Sequence, residues 1–199
     1  MKVIGLTGGI ATGKSTASSI IKNLGIPVID ADLVARAIVK PKQEAFFEIV
    51  EYFGEEIVQQ DGTLDRKKLG NIVFSNEDKL KKLNEITHKR IIDEITNKIN
   101  MYRKLSTDPV IIIDAALLIE MNIGYLVNEI WLVIADEKIQ IHRIMDRDGF
   151  SFEDAKKRID AQMSTEEKKK YAHVVLDNSG SIEDLTNKIQ KELKRVSEY

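Results

Sequence analysis

Lys2-Val3-Ile4-Gly5-Leu6-Thr7-Gly8-Gly9-Ile10-Ala11-Thr12-Gly13-Lys14-Ser15-Thr16 is the stretch on which the reading of this chain turns. Lys2 to Thr7 is a short, mostly apolar run with the character of a strand. Gly8 to Ser15 follows at once and fits Gly-x-x-x-x-Gly-Lys-[Ser/Thr], the P-loop. Ala17, Ile20, Ile21 and Leu24 then recur at helical spacing, so the loop lies between a strand and a helix. The residue types suit a phosphate cradle. Main-chain N–H groups must close around phosphate oxygens, which requires glycine where φ is positive or a side chain would collide. The following helix presents its first amides and its dipole to the anion. Lys14 can reach the β- and γ-phosphates, and Ser15 can ligate Mg²⁺. The motif predicts binding of a nucleoside triphosphate.

The remaining composition narrows the class. The chain has 199 residues, 43% of them hydrophobic, enough for a sizeable core in a single domain of ordinary size or in a core with helical insertions. Charged residues make up 31% but nearly cancel to a formal net charge of -2, so no domain-wide basic excess points to nucleic acid. The absence of cysteine excludes disulfides, thiol catalysis and thiolate zinc sites. His88, His142 and His173 are far apart and form no local ligand pair. The N-terminal run is too short for a signal peptide, and no apolar run is long enough to cross a membrane. A cytoplasmic protein is the expectation.

Beyond the first helix, Ile26 to Ile29 reads as a second buried strand ending in Asp30-Ala31-Asp32. Leu33 to Val39 reads as a short helix stopped by Pro41. From Gln43 to about Arg103 the pattern becomes helix upon helix, with Asp61-Gly62 a turn and Asp65 a cap. Leu80, Leu83, Ile86, Ile91, Ile95 and Ile99 trace a long amphipathic helix. Strands resume at Val110 to Asp114, Ile130 to Ala135 and Val174 to Leu176, separated by helices from Asp136 to about Arg147 and from Ser151 to about Met163. Ile182, Leu185, Ile189 and Leu193 stripe the closing helix. Strands alternating with helices imply a parallel sheet. Lys168-Lys169-Lys170 reads as a solvated face.

In such a sheet the ligand lies beyond the carboxyl ends of the strands, where the polar residues become candidates. Asp30 and Asp32 follow the second strand, and each reads equally as a helix N-cap or a catalytic carboxylate. Asp114 closes the third strand, as a cap or as a carboxylate that orients Mg²⁺ and its waters. Arg143 and Arg147 lie four apart on a charged helix, as do Arg158 and Gln162 further on. Each pair is either a solvated face or part of a lid. His88 reads as a surface histidine, and Asp177-Asn178-Ser179-Gly180 as a turn or an adenine contact. No Asn-Lys-x-Asp guanine signature occurs, which disfavours a GTPase.

Taken together, these positions resemble the dephospho-CoA kinase family from end to end. Ile4 to Thr16 resembles the family's opening, and Val28-Ile29-Asp30-Ala31-Asp32-Leu33-Val34-Ala35-Arg36 its most distinctive segment. Phe53-Gly54, Asp61-Gly62-x-Leu64-Asp65-Arg66, Leu117-Leu118-x-Glu120, Gln140-x-x-Arg143, Arg158-x-x-x-Gln162 and Asn178-x-Gly180 fall where the family has them. The chain departs from it at Ala11, where glycine is common, at His88-Lys89 in place of His-Pro, and at Ala116 in place of proline.

The resemblance implies a three-layer α/β/α P-loop kinase domain over 1–199 with a five-stranded parallel sheet. Its core would span about 1–39, 106–135 and 166–199, with a helical acceptor-binding insertion near 40–105 and a helical lid near 136–165. ATP with Mg²⁺ on Ser15 would donate its γ-phosphoryl to the ribose 3′-hydroxyl of dephospho-CoA. The resemblance makes Asp32, Lys14 and Arg143 catalytic. Gly9, Ile10, Ala11, Thr12, Gly13, Lys14, Ser15, Thr16, Arg143, Arg147 and Asn178 would bind ATP. Thr7, Asp32, Arg36, His88, Leu117, Glu120, Arg158 and Gln162 would bind the acceptor. No nucleic-acid or membrane partner is implied, and the oligomeric state stays open. The alternatives are another small-molecule or nucleotide kinase of this class, and a nucleotide-binding switch without transfer activity.

Overall fold

The computed structural model describes residues 1–105 and 107–198; the boundaries expected at 106 and 199 lie outside the described residues. In chain order the elements are β1 (Lys2–Gly8), α1 (Lys14–Asn23), β2 (Val28–Asp30), α2 (Ala31–Ala37), α3 (Glu44–Phe53), α4 (Arg66–Phe74) and α5 (Glu77–Leu105). There follow β3 (Val110–Asp114), β4 (Glu129–Ile134), α6 (Glu137–Asp148), α7 (Phe152–Asp160), α8 (Thr165–Lys169), β5 (Val174–Asp177) and α9 (Ile182–Ser197). They form two compact units, Met1–Asp30 with Ile99–Tyr199, and Ala31–Lys98.

The first unit carries a five-stranded sheet in the order β2-β3-β1-β4-β5, every pairing parallel. β3 is buried along its whole length, as its continuous β-branched run requires of a strand covered on both faces. Side chains alternate across the strands, so Ile4, Leu6, Ile112, Trp131 and Val133 share one face. There they meet Ala17 and Ile21 of α1 and Leu185, Ile189 and Leu193 of α9. Each such aliphatic side chain contributes about 1.5–3 kcal/mol by leaving water. Ser181 starts α9 with a capping box, its hydroxyl accepting from the Asp184 N–H at 3.1 Å. β1 pairs with β3 from Lys2↔Val110 to Leu6↔Asp114 and with β4 from Ile4↔Glu129 to Gly8↔Val133. The next strand in sequence, β2, lies beyond β3, while β4 lies on the opposite side. The order of the strands therefore reverses at β1, and the P-loop leaves its carboxyl end at that switch point.

The second unit is helical. Ile49, Phe53, Ile57, Leu69, Val73 and Ile86 form its core. Asp65 caps α4, accepting from the Lys68 N–H at 2.9 Å. Among the described residues, no helix is long and apolar enough to cross a membrane.

One local expectation is corrected. The helix predicted from Ser151 to about Met163 stops at Asp160, and α8 begins afresh at Thr165. Ser164 is the cause: its hydroxyl accepts from the Glu167 N–H at 3.2 Å, and the Glu167 carboxylate accepts from the Ser164 N–H at 3.1 Å. That capping box turns Lys168 inward. Lys168 is 3% exposed, whereas Lys169 and Lys170 face solvent, so the basic run is not a uniformly solvated face.

Candidate active site

The site grows from the backbone of residues 8–16. Gly13 holds φ +91 as the N-cap of α1, a left-handed conformation that only glycine adopts at little cost. A Cβ there would also collide with the Asn178 amide. A Cβ on Gly8 would lie 2.7 Å from Thr12 Oγ1 and 2.8 Å from the Val133 carbonyl oxygen. Thr12 is buried and closes the loop on itself, its hydroxyl donating to Gly9 O at 2.9 Å and its N–H to the same oxygen at 3.3 Å. Ala11 adopts φ 57, the left-handed region in which glycine is more comfortable, at a cost of about 1–2 kcal/mol. No side chain caps α1, which leaves its first-turn amides for an anionic ligand.

Elements distant in sequence hold that backbone in place. Arg143 of α6 donates through Nη1 to Ala11 O at 3.2 Å and Thr12 O at 3.3 Å, and through Nη2 to Asn178 O at 3.1 Å. Asn178, buried just past β5, donates its amide to Thr12 O at 2.8 Å. Ile10 and Ala11 pack on Ile141, Ile144 and Ala155, the small apolar cluster between α6 and α7. Gln162 Oε1 accepts from the Ile10 N–H at 2.8 Å.

Lys14 Nζ lies 2.5 Å from Asp114 Oδ1, with side-chain exposures of 17% and 8%. Lys168 Nζ lies 2.6 Å from Glu120 Oε1. Arg147 is held by Asp148, whose hydrogen bonds push the guanidinium further toward its charged form and keep the Asp148 carboxyl below the usual range. Lys14, Glu120, Arg147 and Lys168 border a cavity of about 690 Å³. Its floor is Gly8 to Ala11 and Gly13 to Thr16, and its walls are Leu117, Glu120, Arg143, Arg147, Gln162, Lys168 and Asn178. Exposed helix-end amides and cations beside a glycine-lined backbone can bind a phosphate chain and stabilise charge moving along it.

The sequence model of the family described as dephospho-CoA kinase matches residues 2–184. The chain belongs to the dephospho-CoA kinase family. It is 47% identical to the dephospho-CoA kinase of Oceanobacillus iheyensis, covering 95% of this chain and 96% of that one. It is 48% identical to that of Carboxydothermus hydrogenoformans, covering 95% and 91%. Among solved structures, the dephospho-CoA kinase from Campylobacter jejuni superposes with a TM-score of 0.75 at 29% identity, over 98% of this chain and 97% of that one. A Thermus thermophilus crystal structure reaches 0.82 at 32% identity, over 98% and 97%. A shikimate kinase from Bacteroides thetaiotaomicron, at 14% identity and a TM-score of 0.54, shares the fold.

In this member of the dephospho-CoA kinase family, the structure gathers the P-loop, Leu117, Glu120, Arg143, Arg147, Gln162 and Asn178 around one cavity. It puts three others elsewhere. Thr7 is wholly buried inside β1 with its hydroxyl donating to Ala116 O at 3.1 Å. Thr12 is buried beneath the loop. Arg158 stacks its guanidinium 3.9 Å from the centre of the Phe150 ring. Asp32, Arg36 and His88 belong to the second unit: Asp32 is exposed in the first turn of α2, Arg36 follows one turn later, and His88 is half-buried on α5. Sequence reasoning missed Lys168. The signal that could have found it is Ser164-x-x-Glu167, a capping box that fixes which face of the next turn points inward.

Proposed function

We propose that the protein transfers the γ-phosphoryl of ATP to the ribose 3′-hydroxyl of dephospho-CoA, giving coenzyme A and ADP. The observation that carries this reading is the P-loop, its strained backbone clamped by Arg143 and Asn178 around one cavity, in a chain that matches the family along nearly its whole length.

The P-loop amides and the N-terminus of α1 hold the β- and γ-phosphates. Lys14 moves from Asp114 to the phosphate chain and offsets charge gathering on the bridging oxygen. Arg143 acts in this arrangement by positioning: one terminal nitrogen engages the Ala11 and Thr12 carbonyl oxygens of the loop and the other engages Asn178 O. Asn178 braces the loop through the Thr12 carbonyl oxygen that Arg143 also engages, and is the proposed adenine contact.

Among the described residues no cluster of three acidic or histidine groups could hold a resident metal. The exposed Ser15 on the cavity floor fits an Mg²⁺ that arrives with the nucleotide, and Ser15 would hold it together with phosphate oxygens. Bound there, the ion supplies neutralisation of phosphate charge.

Asp32 orients the acceptor hydroxyl. A ribose hydroxyl is too weak an acid to be ionised beforehand by a carboxylate, so its proton leaves late, once bonding to phosphorus has made the oxygen acidic. Arg36, His88, Leu117 and Glu120 complete the proposed acceptor contacts; an acceptor role for Arg158 would require it to leave the Phe150 ring. Residues near 136–165 form the proposed lid, with Gln162 as its tie to Ile10, and closure keeps water from the γ-phosphate. The proposed location is the cytoplasm.

The test is a mass-resolved transfer assay with Mg²⁺, ATP and dephospho-CoA, AMP, CMP or adenosine. A gain of one phosphoryl on dephospho-CoA alone is the expected result. Transfer to another acceptor, or none with ATP still bound, refutes the acceptor assignment.

A further inference from the structure

Lys168 is the one member of the basic run that the fold buries, and its ammonium is at the wrong depth for a solvated charge. Its side chain is 4% exposed and meets Glu120 Oε1 at 2.6 Å, while the Glu120 side chain is 25% exposed. An ammonium carries three donors. Among the described residues the hydrogen-bond partner of this one is Glu120, which leaves donor capacity on a group that lines the P-loop cavity.

The sheet order says where that pair stands. Glu120 follows β3, and Lys168 sits on α8, which packs against β4. β1 runs between β3 and β4 and passes into Gly8 and Gly9. The ion pair therefore bridges the head of β1, and Lys168 borders the same cavity as Gly8, Gly9 and Lys14. Lys14 shows the same arrangement: a cavity lysine resting on a carboxylate, Asp114. The terminal γ-phosphoryl of a triphosphate carries about two negative charges, more than a single carboxylate offers, and so competes for both ammonium groups.

We propose that Lys168 is a second phosphate-binding lysine, held by Glu120 until a triphosphate arrives and then donating to γ-phosphoryl oxygens. The proposal rests on ATP being the donor at the P-loop. The competing role is a structural tie between α8 and the turn after β3, which would serve every nucleotide alike.

Calorimetric titration of the full chain in Mg²⁺, with ADP and with a non-hydrolysable ATP analogue, separates the two roles because ADP lacks the γ-phosphoryl. Lys168→Met is expected to weaken the ATP analogue by about 10- to 100-fold, the loss of a charge-assisted hydrogen bond, and to leave ADP within about twofold. Glu120→Gln releases the ammonium and is expected to keep or tighten ATP-analogue binding at unchanged ADP affinity. Parallel losses for both nucleotides in either variant, or no change in Lys168→Met, overturn the proposal. Should Lys168→Met fail to fold, Glu120→Gln decides alone. A parent protein that binds ATP but phosphorylates no dephospho-CoA refutes the acceptor assignment and leaves the titration result standing.

Discussion

Arg143→Ala removes the guanidinium that ties the P-loop to the end of β5. In the structure one terminal nitrogen is shared between Ala11 O at 3.2 Å and Thr12 O at 3.3 Å, and the other reaches Asn178 O at 3.1 Å. Two long bonds from one nitrogen count as about one, so the variant forfeits about two charge-assisted hydrogen bonds. At the lower end of their range, fitting a half-buried side chain, that is about 3 kcal/mol. Ala11 then loses a tether holding it at φ 57, and the loop relaxes toward less strained backbone. A nucleotide must restore the order on binding, which transfers about 2–3 kcal/mol of the loss to affinity, or about 30- to 150-fold. Because the charge acts through loop carbonyls, ADP and a non-hydrolysable ATP analogue should weaken together. The assay is calorimetric titration with both nucleotides, after a thermal melt shows the variant folded. A loss confined to the ATP analogue would place the guanidinium on the γ-phosphoryl and refute the clamp; unchanged affinity for both would refute it as well.

Three further outcomes are expected. Asp32→Asn should keep ATP affinity and lower turnover with dephospho-CoA by about 10²-fold or more, and activity within a few-fold of the parent would remove Asp32 from the reaction. Gly13→Ala should abolish nucleotide binding in a titration, since its φ of +91 and the overlap with the Asn178 amide both oppose a Cβ; retained affinity would contradict that account. At the opposite end of β4, hydrogen bonds from Arg195 hold the Glu129 carboxyl below the usual glutamate range. A depressed native pKa means stability that is complete above the ordinary glutamate value and lost as pH falls through the depressed one. Urea midpoints measured down that acid window should therefore fall less steeply in Glu129→Gln than in the parent, and identical slopes would count against the pairing.

Much of this was legible in the linear chain where the physics is local. The strand–loop–helix at residues 2–23 could be read because a phosphate is gripped by consecutive backbone amides, whose glycine and lysine requirements appear as spacing. β3 could be read because a strand covered on both faces needs an unbroken apolar run, and Asp65 because an N-cap bonds to a residue three positions on. The break after Asp160 was missed although its signal is also local, since helical periodicity outweighed Ser164 and Glu167.

The sequence by itself determined the P-loop, the alternation of strands with helices and the phosphate chemistry they serve, because each depends on neighbours within a few residues. Only the tertiary structure decided what Lys14, Lys168 and Asn178 face in the cavity. Lys14 meets Asp114 across 100 residues, Asn178 braces Thr12 across 166, and Lys168 meets Glu120 across 48. Those partnerships follow from the strand order β3-β1-β4-β5, which brings the ends of distant strands to one crevice. A charge run carries no trace of that order, so Lys168 looks solvated in the sequence and is buried in the fold.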